Sequence, residues 1–321
     1  VSAAYQAAMV RLGLLVASRV RDLFSRSKTP DDRTVREALR VVGGARAELR
    51  TLTVAYYRLH RALHTGFTVA KPGAPASPGD SVPLDVLRRD FASMLPPPRE
   101  GFAQYVVPAG GGQSVILDPD VEAFTEQDFR DAEEVAFADA LQNLTGKGVT
   151  ARERKVAELR RRFAARVGGA SLDSLIAEIE EKSDRKAGAV AGRVAANAGR
   201  QSIDSAVRRD RRALGYVRLS RTGTPCGFCA MLISRGAVYS SASSASVASG
   251  NGRREKGEDY HDDCQCYSEP VYSRSQYDSS DLYSLNRKYA REWPGVTNGL
   301  SGKAALSAWR KHVRKNNPEL F

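Results

Sequence analysis

The sequence predicts a mainly α-helical protein that ends in a small, loop-rich α+β module. Ala, Leu and Arg are abundant while aromatic residues make up only 7% of the 321 residues, which favours helices. Apolar residues recur every three or four positions through long stretches, as they do on one face of a helix. All four cysteines lie between Cys226 and Cys266, in a stretch rich in loop-forming residues. These three observations predict an elongated helical N-terminal region followed by a compact C-terminal module.

The first 70 residues are predicted to form a helical hairpin. The apolar spacing over residues 3–25 indicates a first helix. Thr29 as N-cap and Pro30 at the first helical position indicate where a second, longer helix begins. That helix extends to about Gly66, which we expect to serve as its C-cap, with a kink at Gly43 and Gly44.

Residues 71–123 are predicted to be a Pro/Gly-rich linker and an irregular segment. Proline and glycine are too frequent over residues 71–83 and 96–119 for long regular elements. Two short apolar runs, residues 105–107 and 115–117, indicate short strands on either side of a glycine cluster.

Residues 124–215 are predicted to form long helices. The first is expected to end at Gly146, and a capping box from Thr150 to Glu153 indicates the start of the next. A third is expected from Ser171 to about Leu214, with one break near Ser183. Its middle, residues 187–199, is rich in small residues, which indicates close packing of another helix or backbone segment.

Residues 216–321 contain the motif that carries chemistry. A predicted strand at residues 216–220 precedes Cys226-x-x-Cys229, and His261-x-x-Cys264-x-Cys266 follows 31 residues after it. Structural zinc sites commonly draw four nitrogen or sulfur ligands from two such closely spaced groups. A basic helix, residues 303–315, is predicted to close the chain.

Five candidates compete for the four positions of a zinc ion. We prefer Cys226, Cys229, His261 and Cys264 as the ligands, with Cys266 as the contender. In an extended segment the side chains of Cys264 and Cys266 would point to the same face but lie at different distances from one ion, so only one of them is expected to bind it. Two disulfides or thiol chemistry are the alternatives. Residues 216–300 are short of large apolar side chains, so a bound metal would act as a structural staple, contributing ~10–16 kcal/mol of binding free energy.

The charge of the chain indicates polyanionic partners. The formal net charge is +12, and 38 of the 49 basic residues are arginine, which binds phosphate and carboxylate groups well. Residues 193–221 contain eight arginines and two acidic residues, and the last 21 residues contain five basic residues and one acidic residue, Glu319. We therefore predict nonspecific contact with DNA phosphates there. A solvated helix face or a salt-bridging surface is the alternative. The candidate nucleic-acid-binding residues are Arg208, Arg209, Arg211 and Arg212.

Several function classes lack support in the sequence. Neither a Gly-x-Ser-x-Gly elbow nor a phosphate-binding Gly-x4-Gly-Lys-Ser/Thr loop occurs. His60 and His64 are one helical turn apart but lack the glutamate of a zinc-protease helix, so we expect a partly buried or rim pair. No stretch approaches the ~18 apolar residues of a membrane span. We expect synthesis in the cytoplasm and no membrane partner.

The cysteine segment resembles that of a known family. Thr-x-Cys-x-x-Cys, ending at Cys229, and the later His-x-x-Cys-x-Cys motif follow a long small-residue helix and a short strand. A Tyr-rich stretch and the terminal run Ser301–Leu306 come after them. Over residues 130–315 this pattern resembles the phage Mu F-type head morphogenesis proteins, most closely the MuF-like minor capsid proteins of actinobacteriophages. One departure is Gln265, where the family often has arginine.

The resemblance implies a virion component and no established catalysis. It implies a portal-associated structural protein inside the capsid, assembled in the host cytoplasm, with portal, capsid and scaffold proteins as partners and packaged double-stranded DNA nearby. It implies a role in head morphogenesis, and in DNA packaging or ejection. A capsid maturation protease is the first alternative, and a zinc-containing, nonspecific DNA-binding protein is the second.

Overall fold

A computed structural model describes residues 1–27, 31–74, 76–97, 112–163, 169–220, 225, 227–236, 264 and 266–316. Ten α-helices and five short strands form the architecture of this part of the chain. A π-helical turn (Gln142–Gly146) and a 3-10 turn (Asp281–Tyr283) are the other helical segments there. In chain order the elements are α1 (Ser2–Arg26), α2 (Asp32–Thr65), β1 (Phe67–Thr68), β2 (Ser81–Pro83), α3 (Leu84–Met94), β3 (Ser114–Leu117), α4 (Glu126–Leu141), α5 (Lys147–Phe163), α6 (Gly169–Arg209), β4 (Gly215–Leu219), α7 (Gly227–Ile233), β5 (Tyr267–Val271), α8 (Arg274–Ser279), α9 (Ser284–Thr297) and α10 (Gly302–Asn316). The predicted mainly α fold with a small α+β part is confirmed.

The helical body is built around α6, which packs against both α1 and α2. The small residues of α6 allow a very close approach to α1. A Cβ atom added at Gly192 would lie 2.8 Å from the carbonyl oxygen of Gly13, and one added at Gly188 would lie 2.5 Å from that of Ala17. The small-residue segment therefore serves helix packing, as the sequence predicted. The first two helices also contact each other, so the expected hairpin forms part of a three-helix arrangement.

The ends of α2 are set by two local signals. Asp31, rather than the expected Thr29, is the N-cap residue, and its side chain accepts a hydrogen bond from the Thr34 amide. Thr29 and Pro30 lie outside the described residues. Gly66 adopts a left-handed conformation at φ 73° and caps the C-terminus as predicted. The helix continues through Gly43 and Gly44.

The stretch expected to be a linker carries more structure than its composition indicates. It contains α3, whose Leu84, Leu87 and Phe91 are buried in the main core. Strand β3 pairs in parallel with β1 and antiparallel with β2, so a three-stranded sheet covers the end of α2. Strand β3 matches the second predicted apolar run, and residues 105–107 lie outside the described residues.

The helices of residues 124–215 join without the expected breaks. Gly146 does not end the first helix, because the π-helical turn carries the backbone from α4 directly into α5. Helix α5 begins at Lys147, before the predicted capping box. The expectations for α6 and β4 agree with the structure to within a few residues at each end, except that α6 ends at Arg209 rather than near Leu214.

The C-terminal third is better packed than its composition indicates. Strands β4 and β5 form an antiparallel pair that is buried on both faces and joins the main core. A second core gathers α7, α9 and α10 around Trp309, which is fully buried and stacks edge-on against Tyr289 and Trp293. The expectation that residues 216–300 lack a substantial apolar core is therefore wrong for the described part, because α10 supplies an aromatic centre from beyond that segment.

None of the helices in the described ranges combines the length and apolar character needed to cross a bilayer.

Candidate metal centre

Three cysteines converge at the junction of the two cores. Cys229 lies on α7, and Cys264 and Cys266 lie just before β5. Their sulfur atoms are all within 4.8 Å of one another, and the Cys229 and Cys264 sulfurs are 3.5 Å apart. A disulfide bond requires about 2.05 Å, so this pair is not bonded. The cluster can therefore present three thiol ligands to one metal ion.

The cluster includes Cys266, which was the contender outside our preferred four ligands. The sulfurs of Cys264 and Cys266 both lie within 4.8 Å of the Cys229 sulfur. The two sulfurs therefore lie close enough to serve one ion, and which of the five candidates are ligands stays a prediction. Cys226 and His261 lie outside the described residues, so their roles stay predictions.

Two buried arginines hold the cluster, and in the sequence both are visible only as members of a basic run. Arg218 on β4 is 1% exposed, and its Nη2 lies 3.7 Å from the Cys229 sulfur and 3.6 Å from the Cys264 sulfur. Arg200 on α6 donates from Nη2 to the Cys264 carbonyl oxygen at 2.6 Å and from Nε to the Cys266 carbonyl oxygen at 3.2 Å. One arginine therefore faces the sulfurs and the other fixes the backbone that carries two of them.

The electrostatics favour at least one thiolate. Hydrogen bonds from Cys229 and Cys266 lower the pKa of the Cys264 thiol, and the positive charges of Arg218 and Arg200 lower it further against the opposing effect of burial. For Cys266, a hydrogen bond with Cys229 lowers the pKa, but its bond to Cys264, burial and the Cys264 charge outweigh this and raise it. Because the thiolate is the form that ligates metals, the site is prepared for a cation.

The four predicted DNA-binding arginines lie at the end of α6 and in the turn after it. Arg208 pairs with Asp204, one helical turn earlier, and its Nε donates at 2.9 Å. Arg212 donates to Asp118 at 3.1 Å and stacks over the Phe67 ring at 3.7 Å. Arg209 and Arg211 are exposed. Two of the four charges are thus already matched by carboxylates, and phosphate binding here stays a prediction.

A buried polar cluster, missed by sequence reasoning, ties β5 to α1 and α2. Glu269 is fully buried and accepts hydrogen bonds from Ser2 at 2.6 Å and Tyr56 at 2.8 Å, and it lies 3.1 Å from His60 Nε2. Burial raises the pKa of the Glu269 carboxyl, but the interactions with His60 and the two hydroxyl donors outweigh this and lower it. His60 is buried and its ring contacts that of the exposed His64, so the pair lies partly in the core and partly at its rim as expected.

A second carboxylate cluster lies nearby. Asp210 is fully buried and accepts hydrogen bonds from Tyr57 at 2.7 Å and from Arg61 Nε at 2.7 Å. Arg61 also reaches Asp118 at 2.7 Å. Both clusters satisfy buried charges inside the main core, which is a structural role.

The fold and the site together define a mainly α-helical protein with a cysteine cluster at the base of a small C-terminal module. A family model described as VG15 protein matches residues 127–292, which include α5 to α8 and all four cysteines. The chain belongs to this family of viral gene 15 proteins, and its membership indicates a phage protein. No curated protein and no solved structure matches the chain.

Proposed function

We propose that this phage protein is a structural component of the virion, a MuF-like minor capsid protein that acts at the portal during head morphogenesis. The observation that carries the proposal is the cysteine cluster, which lies inside the segment matched by the viral family and joins the C-terminal module to the helical body. In this role the long helices contact the portal and scaffold proteins, and the C-terminal module is held in a fixed position on those helices.

We propose Zn²⁺ as the ion of the cluster. A tetrahedral zinc site with Zn–S bonds of ~2.3 Å places its sulfurs ~3.8 Å apart, and the three sulfurs lie within 4.8 Å of one another with one pair at 3.5 Å. Three thiols with a fourth protein ligand close the coordination shell, which is the arrangement of structural rather than catalytic zinc. Cys226 or His261 would supply that fourth ligand.

Virion analysis tests the assignment to the capsid. A phage that carries an epitope-tagged copy of the gene is purified, and mature particles and empty procapsids are examined by quantitative mass spectrometry. We expect the protein in both, at a few copies per portal ring, and we expect it to co-purify with portal protein from lysates. Its absence from purified particles would contradict the proposal, whatever the metal content of the isolated protein.

A capsid maturation protease is the alternative from another class. Within the described part of the chain, His60 pairs with Glu269 and His312 with Glu292, and no serine hydroxyl hydrogen-bonds to a histidine. This arrangement favours the structural role. Co-expression with the scaffold and major capsid proteins tests it. Cleavage of either protein that is lost on His60→Gln or His312→Gln substitution would replace our proposal with the protease.

A further inference from the structure

The hairpin of α9 and α10 concentrates positive charge on the C-terminal module. Over residues 284–316 the chain has eight basic residues and one acidic residue, Glu292. That glutamate is already engaged, because it lies 3.0 Å from His312 Nε2 and 4.0 Å from Lys288 Nζ. The eight basic residues are Arg287, Lys288, Arg291, Lys303, Arg310, Lys311, Arg314 and Lys315.

Helix α10 separates an apolar face from a basic face. Ala305, Trp309 and Val313 recur every four residues and are buried, and Trp309 and Val313 belong to the module core. On the opposite side all the basic side chains of the helix are exposed, and the described residues place no carboxylate against the side chains of four of them. The five basic residues of this face are Lys303, Arg310, Lys311, Arg314 and Lys315. In the described structure, Lys303, Arg310, Lys311 and Lys315 have no carboxylate partner. A spacing of three, four and seven residues keeps them on one side of the helix.

The basic face is fixed to the cysteine cluster. Gly227 lies between the two cysteines of the Cys-x-x-Cys motif, and a Cβ added there would overlap Cγ of Arg310 and lie 3.2 Å from its Cβ. The stem of Arg310 therefore rests directly on the start of α7, two residues before Cys229. With Trp309 anchored beside it, the helix presents its charges from a rigid support.

We propose that the basic face of α10 binds the phosphate backbone of double-stranded DNA. Two of the four arginines at residues 208–212 are paired with carboxylates, whereas four of the five basic residues on this face have no carboxylate partner among the described residues, so α10 is the stronger phosphate-binding surface. An acidic protein is the competing partner, but protein interfaces centre on exposed apolar or aromatic anchors. Helix α10 exposes no large apolar side chain. The choice of DNA as the bound polyanion rests on the proposed virion function. The presence of the basic face on α10 is independent of that function.

Binding of a fluorescein-labelled 30-base-pair duplex of mixed sequence tests the proposal on the full-length protein. One variant carries Arg310→Gln, Lys311→Gln, Arg314→Gln and Lys315→Gln. The matched control carries Arg208→Gln, Arg209→Gln, Arg211→Gln and Arg212→Gln, which remove the same charge. Anisotropy is measured from 50 to 300 mM salt. Circular dichroism and metal content verify the fold, and the pair Lys311→Gln and Lys315→Gln replaces the fourfold variant if its fold is disturbed.

We expect the α10 variant to bind at least about tenfold more weakly at the lowest salt, and its log-affinity slope against log salt to flatten by about 3 to 4, since each phosphate contact contributes ~0.9. The pair variant should show about half of that change in slope, and the variant at residues 208–212 should lose less affinity than the α10 variant, because two of its four charges are already paired with carboxylates. Equal losses in the α10 variant and the control, or a larger loss in the control, would overturn the assignment to α10. Parent protein that binds labelled poly-glutamate as tightly as the duplex would overturn the assignment to DNA. If α10 does not bind DNA, the expected result of the virion assay is unchanged. Failure of the DNA-binding inference can therefore be distinguished from failure of the proposed virion function.

Discussion

Arg200 of α6 donates a hydrogen bond of 2.6 Å to the carbonyl oxygen of Cys264, 64 residues later in the chain. The same guanidinium reaches the Cys266 carbonyl oxygen and the side chain of Asn197. A side chain of the central helix therefore fixes the backbone that carries two sulfurs of the candidate metal centre. Through this contact the helical body and the C-terminal module form one structure.

Removal of the Arg200 guanidinium should destabilise the protein strongly. Arg200→Met keeps most of the side-chain volume but removes the donor to one buried and one partly buried carbonyl oxygen, so we expect a loss of ~2–4 kcal/mol in the free energy of unfolding. Urea denaturation measures the change. Arg208→Met is the control, because its exposed ion pair with Asp204 contributes at most ~0.5 kcal/mol. Equal effects of the two substitutions would contradict the role of Arg200.

Each clustered cysteine should be needed for metal binding. We expect Cys229→Ser, Cys264→Ser and Cys266→Ser each to reduce zinc affinity at least about tenfold, because each removes one thiolate ligand. Elemental analysis and the charge-transfer intensity of the cobalt-substituted protein count the thiolate ligands. Full metal retention by Cys266→Ser would restore our original ligand set.

The fourth ligand can be identified by a paired comparison. Five predicted ligands compete for four positions, and if the three clustered sulfurs fill three of them, either Cys226 or His261 is superfluous. The Cys-x-x-Cys spacing directs both sulfurs to one point, so we expect Cys226→Ser to lose metal and His261→Ala to retain it. The opposite pattern in elemental analysis would assign the position to His261.

Metal loss should loosen the C-terminal module selectively. We expect Cys229→Ser, or the parent protein treated with a chelator, to become more sensitive to limited proteolysis over residues 216–300 while the N-terminal helices stay protected. The packed core around Trp309 limits this effect, so we expect local opening rather than global unfolding. Identical digestion patterns with and without metal would contradict a structural role for the ion.

The close contact of α6 with α1 predicts opposite effects for two glycine substitutions. Gly188→Ala should cost ~1–3 kcal/mol, because its Cβ would lie 2.5 Å from the Ala17 carbonyl oxygen. Gly44→Ala, in α2, should instead stabilise the protein by ~0.5–1 kcal/mol, since its Cβ would meet nothing within 4 Å and alanine favours helices. Thermal denaturation of both variants measures the difference. A stabilising Gly188→Ala would show that the helices are farther apart.

Stability should fall on mild acidification because of His64. Burial, followed by the repulsion of His60, lowers the pKa of His64 from 6.5 to about 4. The unfolded chain therefore binds more protons between these values, and the free energy of unfolding decreases as the pH falls from about 6.5 to about 4. Because His64 is exposed to solvent, screening should make the effect smaller than the full shift implies.

His64→Gln should reduce this pH dependence, and urea denaturation at pH 7 and pH 5 measures it. The fully buried Glu269 contributes in a lower range. Its lowered pKa stabilises the fold above the unfolded carboxyl value, and that stabilisation is lost as the pH falls through the folded value. The pH 7 to pH 5 interval therefore separates His64 from Glu269. An unchanged difference in His64→Gln would contradict the assignment.

Local signals account for the elements that were predicted correctly. The apolar spacing of α2 and α6, the left-handed cap at Gly66 and the apolar run of β4 all act over a few residues, so the sequence reveals them. The incorrect predictions concern features that these local signals do not reveal. Helix α3 follows a proline-rich stretch and forms because Leu87 and Phe91 are buried in a core assembled from distant residues. Gly146 does not end its helix, because a π-helical turn accommodates it.

The sequence by itself determined the helical class, the small-residue packing face and the cysteines as the centre of the chemistry, because periodicity and motif spacing are local properties. Only the tertiary structure decided that Cys266 joins the cluster, that Arg200 and Arg218 support it, and that Glu269 is buried among hydroxyl and imidazole groups. It also decided which basic residues are matched by carboxylates and which face outward. These features depend on contacts between residues far apart in the chain, and the free energy of such contacts is set by burial and geometry that no local pattern contains.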